Sequence, residues 1–125
     1  MTKKRSNNSV VDTVNKLKGI LREKDIQIFS EVDHKANAQS VDMELNDSVA
    51  ITFGNPTIGT KILQKNILVS LDLPIRIAVV QTNEKKVWVI YKSIPELVKE
   101  YNLETNEALE KTDNLLESIT DKITQ

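Results

Sequence analysis

The sequence predicts an α+β domain: a small antiparallel sheet of about four strands with helices packed on one face, plus an amphipathic C-terminal helix. Three observations predict it. Residues 10–21 and 105–123 carry apolar side chains at helical spacing, whereas 26–32, 48–53, 75–80 and 87–91 alternate with a period near two. The last two alternating segments flank the polar turn Thr82-Asn83-Glu84-Lys85-Lys86, which reads as a hairpin. Connections are short throughout, so strands close in sequence are expected to pair.

Lys3, Lys4 and Arg5 precede polar Ser6-Asn7-Asn8, so residues 1–8 are expected to form a disordered basic tail. The single α+β domain is then 9–103, followed by the helix of 104–125. Ser9 stands three residues before Asp12 as a cap, and Val10, Val14, Leu17 and Leu21 form the apolar stripe of a four-turn helix. Ile26, Ile28 and Val32 are expected on one face of the next strand with Ser30, and Gln27, Phe29 and Glu31 on the other. Residues 35–41 suit a short helix or irregular turns. The strand Ser48–Phe53 stops at Gly54-Asn55-Pro56, where Asn caps and Pro opens a helix to about Lys65, closed by Asn66 in a left-handed conformation. Gly59 inside that helix costs about 1 kcal/mol relative to Ala and suggests close packing there. After the hairpin, Ser93-Ile94-Pro95-Glu96 opens a short helix to about Tyr101. The final helix lines up Ala108, Leu109, Thr112, Leu115, Leu116, Ile119 and Ile123, with its acids opposite.

Composition narrows the chemistry. A chain of 125 residues is one domain's worth, and 39% hydrophobic residues suffice for one core. No cysteine means no disulfide, thiol nucleophile or thiolate metal site, and a single histidine cannot build a His-rich site alone. Asp42, Glu44 and Asp47 lack the glycine and terminal glutamate of a calcium loop, so neither metal nor cofactor is expected. Net charge is −1, aromatics are 4%, and no basic stripe interleaves with them, which disfavours nucleic acid. No apolar run approaches the ~18 residues of a membrane span, so no membrane partner is expected and a cytoplasmic location is.

Four segments carry a resemblance: Val32-Asp33-His34 with Ala36 and Ala38; Phe53-Gly54-Asn55-Pro56-Thr57-Ile58-Gly59-Thr60; Leu71-Asp72-Leu73-Pro74; and Val87-Trp88-Val89-Ile90-Tyr91. In this order and spacing the chain, from about Val10 to Leu103, resembles the domain of unknown function 302 family. The resemblance implies a small α+β fold with an antiparallel sheet, commonly a dimer, and implies no activity. Two departures stand out: Asp42-Met43-Glu44 where a glycine is usual, and the acidic helix after Leu103, which reads as an addition.

The candidate site residues sit at segment ends. His34 is the only histidine, the residue type whose unperturbed side chain is suited to proton transfer near neutrality, and could hydrogen-bond a loop, hold a ligand, or act as a general base oriented by Asp72. Gly54, Asn55, Thr57 and Thr60 surround a helix start, which serves either as an ordinary cap or as a site for a small anionic ligand or peptide. Asp72 either caps a turn or, if buried, needs a donor such as Asn55, Thr60 or His34. Trp88 could floor a pocket or interface, whereas Tyr91 suits the core. The expected function is a non-enzymatic, homodimeric ligand- or partner-binding module. The alternatives are a small hydrolase or isomerase based on His34, and a structural adaptor acting through the C-terminal helix.

Overall fold

The computed structural model describes all 125 residues. In chain order the elements are β1 (Thr2–Ser6), α1 (Val10–Glu23), β2 (Gln27–Asp33), α2 (His34–Gln39), β3 (Ser48–Gly54), α3 (Pro56–Lys65), a 3-10 turn (Ile67–Leu71), β4 (Ile75–Gln81), β5 (Val87–Tyr91), α4 (Ile94–Tyr101) and α5 (Glu107–Thr124). The strands make one sheet in the order β1-β5-β4-β3-β2, and every neighbouring pair is antiparallel. The protein is therefore α+β, with five strands.

Alternation decides which sheet face is covered. Ile51, Phe53, Ile77, Val79, Val89 and Tyr91 point to one side and meet Val14, Leu17 and Leu21 of α1 and Leu116, Ile119 and Ile123 of α5 in one core. Leu17, Leu21, Ile77, Val89 and Ile123 are wholly inaccessible. Ser9 accepts a hydrogen bond from the Asp12 amide to start α1, as its position predicts. On the other face Ala50, Ala78, Val80, Trp88 and Ile90 are half-buried, and Lys3, Arg5 and Arg76 are exposed.

Several expectations are corrected. Residues 1–8 are not a disordered tail: Thr2–Ser6 form an edge strand that pairs with Val87–Tyr91. A polar strand is invisible to apolar periodicity, because its stabilising contacts are backbone hydrogen bonds and ion pairs. Lys4 points to the core side, where its ammonium donates to Thr120 Oγ1 at 2.8 Å and pairs with Asp121 at 2.7 Å. In β2 the register shifts between Ile28 and Ser30, a bulge that takes up Phe29. Ile28 still faces the core, but Val32 lies across from Ala50 and is exposed. Residues 34–39 settle the ambiguous segment as a short helix, capped by Asp33 accepting from the Ala36 amide. Asn66 is extended, at φ −153°, rather than left-handed, because its carboxamide opens the 3-10 turn by accepting from the Leu68 amide.

Gly59 has nothing within 4 Å of where a Cβ would stand, so the close packing expected there is absent. Overpacking cannot then penalise a larger residue. Gly59→Ala should stabilise the protein by up to about 1 kcal/mol through helix propensity alone, read as a small rise in thermal midpoint.

The C-terminal helix covers its own domain. Leu109 joins Ile94 and Leu97 of α4 in a small second cluster, and the stripe from Leu116 to Ile123 enters the main core. Thr120 and Thr124 are buried on that stripe because each hydroxyl donates to the carbonyl four residues earlier. In this structure the apolar stripe therefore packs within its own domain rather than facing outward.

Candidate functional site

The predicted site residues do not form one site. His34 is exposed and is the first residue of α2, next to Asp33, which pairs with Val49 near the start of β3. Asn55 follows the end of β3 at Gly54, five residues beyond Val49, a separation of about 17 Å at strand rise. Asp72 precedes β4, whose first residues Ile75 and Arg76 pair with Phe53 and Thr52, so it too lies at the far end of the sheet from His34. A general base must reach its partner directly or through one water, so a His34–Asp72 dyad does not exist.

Asp72 instead has partners that the sequence reading missed. Its side chain is 8% exposed, and its carboxylate accepts from the Tyr101 hydroxyl and, at 3.0 Å, from the Lys92 ammonium. Neither Asn55, Thr60 nor His34 is its donor. No local signal marks this cluster, because the partners lie 20 and 29 residues away and meet only when α4 folds against the 3-10 turn. The Tyr101 hydroxyl, with help from Lys92, holds Asp72 below the usual carboxylate range against the opposing effect of burial. The same hydrogen bond, reinforced by burial, pushes Tyr101 up to about 12.

These shifts have opposite pH windows. The depressed Asp72 contributes stability that is complete above its ordinary value of 3.8 and is lost as pH falls through the lowered one. Tyr101 contributes stability below its ordinary 10.0 that is lost as pH rises toward 12. Asp72→Asn should therefore melt below wild type at neutral pH, and the difference should shrink as pH falls through the lowered Asp72 value. Thermal melts across that range check the sign.

Gly54, Asn55 and Thr60 lie on a different feature, a cleft of about 290 Å³ between α3, the ends of β3 and β4, and α5. Its roof is Ile58, Ile62 and Leu63 of α3, and Phe29, Leu73 and Leu115 lie among the walls. Ile58, Ile62 and Leu63 recur at helical spacing, yet no residue of α3 is fully buried. The bulge that turns Phe29 out of the ladder also supplies one wall. None of the lining residues is charged, and the hydroxyls of Thr60 and Thr112 are the most polar side-chain groups besides the Asn55 amide. The side-chain Oδ1 of Asn55 accepts from the Thr57 and Ile58 amides, so the helix-start donors that an anion would use are already engaged. Thr57 and Trp88 do not line this cleft.

A family model described as "Domain of unknown function DUF302" matches residues 2–119. The chain belongs to the DUF302 family. Its match includes β1 and most of α5, so these elements are part of the DUF302 domain rather than a tail and an addition. A crystal structure of an uncharacterized conserved DUF302 protein from Bacillus stearothermophilus covers 98% of this chain and 94% of that one, with a TM-score of 0.71 at 18% identity, which shows a shared fold. Proteins named fluoride-specific ion channel FluC 1 from Brucella suis biovar 1 (strain 1330) and Brucella abortus biovar 1 (strain 9-941) are 31% identical over 98 residues, 78% of this chain. The match occupies 39% and 36% of their lengths, so this DUF302 chain spans well under half of those relatives. No helix of the chain is long and apolar enough to cross a membrane.

Proposed function

We propose that the protein is a non-enzymatic binding module that holds a small uncharged ligand, mainly apolar, in the cleft beneath α3. The observation that carries this reading is the lining: an apolar recess near the small end of the range for ligand pockets, with a few hydroxyl and amide groups and no acid, base or thiol. General acid–base or nucleophilic chemistry needs a titratable group within reach, and the cleft supplies none. The channel name of the Brucella proteins offers no reading for the cleft, because an apolar recess without a cation does not suit a small anion.

The neutral fluorophore N-phenyl-1-naphthylamine tests the proposal. Its emission should rise on mixing with wild-type protein. Gly59→Leu, which adds bulk at a lining residue with free space around it, should keep the fold while abolishing the rise. Emission unchanged by wild type, or equally enhanced by the variant, would reject the cleft as a ligand site.

A second reading, self-association, is favoured by Ile67, Leu68 and Leu71, which are 69–80% exposed beside the cleft on the 3-10 turn. An isologous contact sets each patch against its own copy, and an uncharged patch does so without repulsion. Light scattering on wild type and Leu68→Glu should show a dimer and a monomer respectively. A monomeric wild type removes this reading.

A further inference from the structure

We propose that the open face of the sheet binds single-stranded nucleic acid weakly and without sequence preference. This goes beyond the cleft, which lies toward the helix-covered side and takes no part. The strands bring together on this face what the sequence keeps apart. Lys3 and Arg5 of β1 lie opposite Ile90 and Trp88 of β5, and Trp88 in turn lies opposite Val80 of β4. Arg76, four residues before Val80, faces Thr52 of β3. By the same alternation the strand positions on this face include Ser30, Val32, Ala50 and Ala78 and no acid, whereas the acids of β2, Glu31 and Asp33, lie opposite core-side residues Ile51 and Val49.

Charge complementarity selects a polyanion. The chain as a whole is at −1, yet its charge is segregated: six acids against two lysines in residues 104–125, and on the open face exposed Lys3, Arg5 and Arg76, of which Arg76 feels the charge of Asp72. A second copy would bring Lys3, Arg5 and Arg76 toward their own counterparts. Beside Arg76 the face holds a hollow of about 310 Å³ that also includes Ala78, Ile90, Lys92 and Asp72. The one carboxylate in it, Asp72, is already engaged by Lys92 and Tyr101.

Aromatic content selects nucleic acid among polyanions. Trp88 is the only tryptophan, and the Lys3 ammonium stands 4.5 Å from its ring centroid. A base stacking on the indole would displace that ammonium to the phosphate beside it, so the lysine exchanges its cation–π contact for an ion pair. From Trp88 to the Arg76 hollow is about 13 Å along the strands, a span suited to the two or three bases that a sheet platform of this kind reads. With a single aromatic and cations from separate strands, affinity belongs in the non-specific range of about 10⁻⁴–10⁻⁶ M.

Because Trp88 is the sole tryptophan, its fluorescence reports the contact directly. A short oligothymidylate should quench it at about 20 mM salt, and about three phosphate contacts should weaken binding roughly a hundredfold at 200 mM. Arg5→Gln combined with Arg76→Gln should keep the circular dichroism spectrum and lose binding at least tenfold, and Trp88→Ala should lose it at least fivefold when followed by oligonucleotide anisotropy. Absence of quenching at millimolar oligonucleotide, affinity insensitive to salt, or full binding by the double variant would overturn the proposal. So would equal quenching by polyglutamate, which would assign the face to an acidic polypeptide.

Discussion

Deletion of residues 1–7 is expected to lower the thermal midpoint by roughly 10 °C or more, the equivalent of about 3 kcal/mol for a domain of this size. A disordered tail would leave the midpoint unchanged, so the measurement separates the two descriptions sharply. The loss has four sources. The β1–β5 ladder disappears, at a net value of about 0.5–1.5 kcal/mol for each hydrogen bond. The Ser6 and Thr13 hydroxyls, both buried and 2.8 Å apart, lose one another, although Thr13 keeps its bond to the Ser9 carbonyl. Glu96 loses the N-terminal ammonium and the Thr2 hydroxyl that hold it below the usual carboxylate range. Finally, Lys4 leaves α5. Burial depresses this ammonium, but hydrogen bonds to Asp121 and Glu117 outweigh it and the net shift is upward, so the pair stabilises the charged form. Thermal denaturation of the deletion variant and of Lys4→Met divides the effect, since methionine keeps much of the stem's packing and removes only the charge.

How much of this was legible beforehand depends on where the stabilising contacts come from. The core strands β3, β4 and β5 and the helices α1, α4 and α5 announced themselves because Ile51, Ile77, Val89, Leu17 and Leu116 are buried at the periods their backbones impose. Ser9, Asn55 and Ser93 marked their helix starts because capping chemistry is local. β1 was not legible: Thr2-Lys3-Lys4-Arg5-Ser6 has no apolar side chain, and its strand partners, Val87–Tyr91, lie more than 80 residues away. The bulge at Phe29 was equally hidden, because a shift of one residue alters facing without altering composition.

The site separates along the same line. A strand end followed by a capped helix is a sequence pattern, so Gly54, Asn55, Thr57 and Thr60 are legible as a segment end, and of these all but Thr57 line a cleft. His34 was singled out for its chemistry alone, and nothing in its own segment could reveal that it stands at the opposite end of the sheet. Asp72 reads from sequence either as a turn cap or as a carboxylate needing a donor, and Tyr101 and Lys92 become its neighbours only through tertiary packing.

Removal of residues 105–125 should have the largest effect of all: no cooperative thermal transition, rather than a trimmed and stable domain. Leu109, Leu116, Ile119 and Ile123 are each at most 5% exposed, and burying four such side chains contributes about 6–12 kcal/mol. That is comparable to the entire stability of an ordinary domain of this size, about 5–15 kcal/mol. The deletion also uncovers Leu17 and Leu21 of α1 and the inner face of β5, and it leaves Lys4 without the partners that hold its charge. Far-ultraviolet circular dichroism and a thermal melt decide the matter. A truncated chain that melts cooperatively near the wild-type midpoint would mean that α5 is an accessory, and its burial against α1 and β1 would then contribute little. A single Leu116→Ala keeps the test graded: the residue is 2% exposed, and the substitution should cost about 2–5 kcal/mol while preserving a cooperative transition. Loss of cooperativity on deletion, together with a graded loss at Leu116, would establish α5 as a wall of the core.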